Sequence, residues 1–270
     1  NIMENIAILT GGDSAEYNIS LLSANTIIKH LNKDKYNAII IHLKDEEYTI
    51  ENKKINTSDF SYNKGNKKII FDKVFIAIHG SPAEDGLIQN YFDKIKLPYT
   101  SCNAKVSALT FDKFKCNQFL KKIGFTCPKS ILIDKEFSQR KVIEKIGVPC
   151  FVKPNKCGSS FGISKVTKET NLSKAIQNAL CYDDKIIVES FINGKEISCG
   201  VYCDENQVKT LPLTEIISEN DFFDYKAKYE GKAEEITPAR INKQLASKIH
   251  KITADIYSDM QLSGICRVDF

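Results

Sequence analysis

Phe151-Val152-Lys153-Pro154-Asn155-Lys156-Cys157-Gly158-Ser159-Ser160-Phe161-Gly162 is the stretch on which the reading of this chain turns. An apolar run from Val148 to Val152 delivers a lysine, and a turn with two glycines and two serines follows. Ile163 to Val166 is a second apolar run. The pattern predicts strand, turn, strand: a hairpin able to fold over an anion. Glycine lets the backbone approach closely, and successive amides and hydroxyls then act as donors. Lys153 would set an ammonium beside the same oxygens. A plain surface hairpin has a similar composition. A Walker loop is excluded, because no Gly-Lys-Ser/Thr follows and the downstream element reads as strand rather than helix. The rest of the chain has to discriminate between these readings.

Upstream, Asn5 to Thr10 reads as a buried strand running into Gly11-Gly12, and Tyr17 to Leu31 as a helix. Ala38 to Leu43 and Val74 to Ile78 are further strands. This β-α-β start predicts an open parallel sheet, whose ligands sit beyond the carboxyl ends of its strands. Glu16 and His79-Gly80 stand at two such ends. Either residue could equally be local, Glu16 as a helix N-terminal acid and His79 as a solvated loop residue. Glu84-Asp85-Gly86 opens a helix through Ile95. Helices follow at Ala104 to Thr110 and Asp112 to Ile123, the second carrying Lys113 near its start. Ser130 to Ile133 is a strand and Ser138 to Ile146 a helix.

Downstream of the hairpin, Asn171 to Leu180 is a helix capped by Thr170 or Asn171, and Lys185 to Val188 a strand. Glu189 closes that strand, Ser190 to Gly194 is a short linker, and Glu196 opens another strand through Cys203. A carboxylate on each side of a bent linker could hold the two ends of a nucleoside; two ordinary strand-end acids have the same appearance. Val208 to Leu211 and Glu215 to Ile217 are further strands. From Ser218 to Pro238 no periodicity survives, yet the segment is aromatic-rich and carries Lys226 and Lys228, which favours a functional lid over disorder. Ile241 to Met260 is an amphipathic helix. In the final strand, Gly264 to Phe270, alternation puts Arg267 and Asp269 on one face. That face would offer a fork for an oxyanion and a carboxylate for a cation, or simply an internal ion pair.

With 270 residues, the chain exceeds most single cores, and two or three domains are expected. A composition of 42% hydrophobic and 27% charged residues is globular. The net charge of +4 is spread as lysine, and Arg140, Arg240 and Arg267 are not clustered, which argues against a nucleic-acid partner. No apolar run approaches the length of a membrane span. Asn1 and Ile2 ahead of Met3 read as a remnant. Nine cysteines without a Cys-x-x-Cys, and four scattered histidines, argue against zinc and for reduced thiols in the cytoplasm.

The order of these motifs resembles the D-alanine–D-alanine ligases of the ATP-grasp superfamily. The similarity rests on Gly11-Gly12-x-Ser14-x-Glu16, His79-Gly80 with Glu84-Asp85-Gly86, Lys113, and Lys153-Pro154 with Gly158-Ser159-Ser160-x-Gly162. It continues through Glu189 and Glu196, Asp224-Tyr225-x-x-Lys228-Tyr229, and Gly264 with Arg267-x-Asp269. The resemblance implies an N-terminal open parallel-sheet, Rossmann-like α/β domain over residues 1–102. An ATP-grasp fold of two α+β subdomains would follow, over residues 103–189 and 190–270, the last incomplete. It also implies ATP-dependent synthesis of D-alanyl-D-alanine for peptidoglycan through an acyl phosphate, with magnesium or manganese, D-alanine as substrate, and a homodimer in the cytoplasm.

Residue roles follow from the same resemblance. Lys113, Lys153 and Lys228 would neutralise the ATP phosphates, with Ser159 and Ser160 covering them. Glu189 and backbone groups around Phe191 would hold adenine, and Glu196 the ribose. Glu16 would grip the ammonium of the first D-alanine, with His79 close by, while Ser159 and Tyr229 would close over the substrates. Arg267 would stabilise the tetrahedral intermediate, and Asp269 would bind the metal. The family pattern continues into a strand bearing Glu-x-Asn, which supplies the other metal positions. The chain as written is therefore expected to be either truncated or inactive. Cys157 stands where an acid is frequent. Tyr229 argues against a D-lactate-joining relative, which usually carries His there. A D-serine-joining ligase and a nucleotide-binding module without turnover remain the alternatives.

Overall fold

The computed structural model describes residues 3–218 and 233–270, and the chain forms two compact units, Asn1–Ala108 and Leu109–Phe270. In the first, β1 (Glu4–Gly11), α1 (Tyr17–His30), β2 (Tyr36–Lys44), β3 (Glu47–Ile50) and β4 (Lys53–Lys54) precede a small hairpin of β5 (Ser61–Lys64) and β6 (Lys67–Ile70). β7 (Lys73–Ile76) and α2 (Leu87–Ile95) follow, and α3 (Ala104–Phe111) runs through the boundary. The sheet order is β4-β3-β2-β1-β7, with β2, β1 and β7 parallel. The expected open parallel sheet is present, extended by an antiparallel arm from residues 47–54.

β1 is buried from Ile6 to Gly11 because it is central and covered on both faces, so its sequence reads as an unbroken apolar run rather than an alternation. Ala7 and Leu9 join one core with Ile41, Val74, Phe60 and Phe92; Ile8 joins another with Ala24 and Ala77. Ser20 of α1 staples the sheet at this point. Its hydroxyl donates to Ala77 O at 2.9 Å and accepts from the Gly11 amide at 2.8 Å. Gly11 (φ +101°) turns the chain where a Cβ would lie 2.3 Å from Leu43 O, so no side chain fits there.

The second unit contains α4 (Lys113–Lys122), β8 (Ser130–Ile133), α5 (Gln139–Lys145), β9 (Cys150–Pro154), β10 (Ser164–Val166), α6 (Leu172–Leu180) and β11 (Ile186–Ser190). Their sheet, β10-β9-β11-β8, is antiparallel throughout. β9 and β10 are the predicted hairpin. α5 and α6 bury Val142, Leu172 and Ile176 against Val152, Val166, Ile186 and Val188. The expected cap on α6 differs: a 3-10 turn at Glu169–Asn171 leads in, and Asn171 stands at the cap without a side-chain hydrogen bond.

A further sheet follows, from β12 (Glu196–Asp204), β13 (Gln207–Thr210), β14 (Thr214–Ser218), β15 (Ala233–Ile236) and β16 (Cys266–Asp269), with α7 (Lys243–Asp259) packed on it. β16 pairs with β12 antiparallel. β15 lies in the stretch read as irregular. Its residues show no apolar alternation, and pairing with β14, not its own pattern, makes it a strand. Lys228, Tyr229 and the rest of the expected lid core fall outside the described residues.

Glu215 on β14 ties this sheet to the preceding linker. It is 3% exposed, and its carboxylate accepts from Lys195 Nζ at 2.8 Å and Arg240 Nε at 2.9 Å. The Arg240 hydrogen bond, then that of Lys195, pulls its pKa down from 4.5 to about 2. A group depressed on folding contributes stability that is complete above its unfolded pKa and is lost as pH falls through the folded one. Thermal unfolding should show Glu215→Gln less stable than wild type at neutral pH, with the gap closing between pH 4.5 and about 2. A gap independent of pH would show that its charge is not the source.

Candidate active site

In the first unit, the site grows from the carboxyl ends of β1 and β7. Ser14 Oγ donates to His79 O at 2.8 Å and accepts from the Glu16 amide at 3.2 Å. Glu16 is 8% exposed and stands at the N-cap of α1, where its side chain makes no capping bond. Gly80 (φ +74°) lets the chain pass: a Cβ there would sit 3.0 Å from Ser14 Cβ and 3.5 Å from Glu16 Oε2. His79 Nε2 is held 3.1 Å from Ser23 Oγ on α1. Glu16 and His79 are thus brought to one place, with Ser14 and Ser23 as the supports that the sequence reading did not assign. An open depression of about 480 Å³, lined in part by Asp13, Tyr48, Ser81 and Pro82, meets this cluster through Ser14.

In the second unit, Lys153 and Glu189 are diagonal neighbours on adjacent antiparallel strands, since Lys153 pairs with Ile187 and Phe151 with Glu189. Lys153 Nζ donates to Glu189 Oε2 at 2.6 Å, and Asn117 Nδ2 to Oε1 at 2.7 Å, so the buried carboxylate is bonded at both oxygens. Asn117 was missed. The available signal was its position four residues after Lys113, which puts both on one face of α4.

The rings of Phe151 and Phe191 lie 5.9 Å apart beside this pair, and Lys165 Nζ sits 4.4 Å from the Phe191 ring centroid. The Phe191 amide donates to Pro149 O at 3.1 Å. That N–H is thus engaged within the protein.

The loop of the hairpin carries Ser159 and Ser160 at φ +47° and +59°. Left-handed backbone costs a non-glycine residue roughly 1–2 kcal/mol, so two in succession mark a loop held by its surroundings. Ser159 is buried, and Phe161 stacks on Tyr182 at 5.9 Å. Lys113 Nζ reaches Cys157 O at 2.5 Å, where the loop begins.

On β16, Arg267 Nε and Nη2 donate to the two oxygens of Asp269 at 2.8 and 3.2 Å. The internal ion pair anticipated as an alternative is formed. Both side chains are about half exposed, at 54% and 49%. Such a pair is worth at most about 1 kcal/mol, so a ligand can displace it. Glu196, opening β12, titrates above its usual value. Desolvation is the main cause and the Asp269 charge adds to it, while Lys153 and Arg267 oppose. One electrostatic neighbourhood therefore contains Lys153, Glu189, Glu196, Arg267 and Asp269.

Comparison with known proteins shows the family. Two family models match, the D-ala D-ala ligase N-terminus over residues 5–102 and the D-ala D-ala ligase C-terminus over residues 120–270. A D-alanine–D-alanine ligase of Flavobacterium johnsoniae is 47% identical, covering 99% of this chain and 85% of that protein. Among solved structures, the VanG D-Ala:D-Ser ligase from Enterococcus faecalis is similar with a TM-score of 0.85 at 29% identity, covering 99% of this chain and 86% of the other. The D-alanine–D-alanine ligase from Bacillus anthracis complexed with ATP gives 0.78 at 27% identity, covering 100% and 82%.

Proposed function

This chain belongs to the D-alanine–D-alanine ligase family of ATP-grasp enzymes, which make the D-alanyl-D-alanine of peptidoglycan precursors, and we propose how its residues carry out that ligation. The observation that supports the assignment of roles is the convergence of Lys153, Glu189, Glu196, Arg267 and Asp269 in one neighbourhood of the second unit. Residues 103–189 and 190–270 act as the two lobes that hold ATP, and residues 1–102 as the amino-acid-binding domain.

A carboxylate is a poor electrophile. The first D-alanine carboxylate attacks the γ-phosphorus of ATP, ADP leaves, and an acyl phosphate forms. The amine of the second D-alanine attacks the acyl carbon, losing a proton, and the carbon–oxygen bond to phosphate breaks. Phosphoryl transfer asks for positioning and charge neutralisation more than for a protein nucleophile. Lys113 and Lys153 supply the charge, with Lys228, and Ser159 and Ser160 close over the phosphates. Glu189 and backbone groups around Phe191 hold adenine, and Glu196 the ribose. Glu16, with His79, holds the first ammonium. Arg267 faces the oxyanion of the tetrahedral intermediate, and Tyr229 with Ser159 closes the substrate pocket. Hydrolysis of the acyl phosphate is the competing reaction, so closure precedes chemistry.

Among the described residues, no three metal-ligating side chains converge. Asp269 nevertheless suits magnesium or manganese, because magnesium is commonly held by one or two carboxylates together with substrate phosphates. Bound there, the metal neutralises phosphate charge. No described helix is long and apolar enough to cross a membrane. We place the enzyme in the cytoplasm as a homodimer, which light scattering would read as twice the 30.5 kDa chain mass.

The test is to incubate full-length protein with ATP and D-alanine, alone and with D-serine or D-lactate. D-alanyl-D-alanine should form with one ADP and one phosphate per bond. A mixed dipeptide or depsipeptide as the main product would overturn the acceptor assignment, and D-alanine-independent phosphate release would overturn the ligase reading.

A further inference from the structure

We propose that Asp112 and Asn155 form a positioning pair that sets Lys113 against the phosphate-covering loop, so that the first turn of α4 and the stem of the hairpin move as one body. The proposal rests on the ligase reading for what Lys113 binds, and on geometry for the rest. Asn155 follows β9 and is 2% exposed; Asp112 precedes α4 and is 4% exposed.

The first amides of a helix have no partner inside it and are ordinarily satisfied by the residue just before it or by water. Here a distant residue does most of that work. The Lys113 amide donates to Asn155 O at 3.2 Å, and the Phe114 amide to Asn155 Oδ1 at 2.9 Å. The Lys115 amide donates to Asp112 Oδ1 at 3.0 Å, and Asn155 Nδ2 donates to the same oxygen at 2.9 Å. The Asn155 amide donates to Lys185 O at 2.9 Å, anchoring the residue to the segment before β11. All of the first three amides of α4 are thus taken by these two residues, and Asn155 joins three parts of the chain.

The consequence concerns Lys113. It is the first residue of α4, and its ammonium reaches Cys157 O, two residues beyond Asn155, at 2.5 Å. A lysine carries a flexible stem, so its reach is only as well defined as its backbone. With its own amide bonded to Asn155 O, and the loop starting from the same residue, ammonium and loop keep a constant relation as the loop moves. Asp112 Oδ2 also faces Lys115 Nζ at 3.7 Å and Lys156 Nζ at 4.0 Å, so the pair holds one negative charge among cations.

Breaking the pair in one variant and keeping its bonds in another provides the test. Asn155→Asp turns the 2.9 Å contact with Asp112 into two facing carboxylates. Asp112→Asn instead keeps an oxygen at Oδ1 that still accepts from both Lys115 and Asn155. It gives up only the charge that faces Lys115 and Lys156. We expect Asn155→Asp to raise KM for ATP at least about tenfold, or about 1.4 kcal/mol, with KM for D-alanine changed less than about twofold. Asp112→Asn should stay within about threefold of wild type. A merely structural pair would lower the unfolding temperature of Asn155→Asp and leave the KM for ATP of the folded fraction unchanged, which would overturn the proposal. Asp112→Asn no better than Asn155→Asp would do the same. Calorimetric binding of a non-hydrolysable ATP analogue separates this from the ligase reading. Wild type that binds the analogue without making dipeptide sinks that reading, while the affinity loss in Asn155→Asp still decides the positioning claim.

Discussion

Arg267→Ala is expected to lower the rate of dipeptide formation by about 10²–10³-fold while changing nucleotide affinity far less. The adduct formed when the second amine attacks carries a negative oxygen that neither substrate carries beforehand. A donor aimed there acts on the transition state and not on ground-state binding, so its loss appears in kcat. β16 pairs Arg267 opposite Gly200 and Asp269 opposite Ser198, which fixes the strand, and Asp269 accepts from the guanidinium. Because the pair is half exposed, its removal costs little stability, and activity can be measured on folded protein. Arg267→Lys keeps the charge but loses the planar fork, and should recover part of the rate. Wild-type turnover in Arg267→Ala would remove this residue from the oxyanion.

Lys153→Ala is expected to weaken ATP binding by about ten- to a hundredfold, the scale of one or two charge-assisted hydrogen bonds. The ammonium donates to Glu189 at 2.6 Å. Phosphates bound to it would share it with that buried carboxylate. The alanine variant also leaves Glu189 with Asn117 as its remaining side-chain hydrogen-bond donor among those described, so a lowered unfolding temperature accompanies the affinity loss. Lys153→Gln separates the two effects. Its amide can still donate to Glu189, so stability should recover while affinity stays low. Nucleotide affinity equal to wild type in both variants would take Lys153 out of the phosphate site.

Individual elements show which parts of the site were legible. The hairpin of β9 and β10 was readable because a β-run, a glycine-serine turn and a second β-run are local signals. The pairing of Arg267 with Asp269 on one face followed from strand alternation alone. That the Phe191 amide is engaged was not legible, since its acceptor, Pro149, comes from another part of the chain. Nor was the Glu215 knot, whose cations come from a linker 20 residues before it and a loop 25 residues after it.

By itself the amino-acid sequence determined the parallel start of the first unit, the glycine-serine hairpin, the strand-end acids and the order of motifs that places this chain in its family. Periodicity, turn chemistry and the spacing of charged residues are properties of consecutive positions. Tertiary structure alone decided that Ala233–Ile236 is a strand, that Asn117 completes the bonding of Glu189, and that Asn155 caps a helix beginning 42 residues earlier. In each of these, a polar group or a strand edge finds its partner through the packing of elements distant in the chain, and burial makes that partner obligatory. No local pattern encodes which partner it will be.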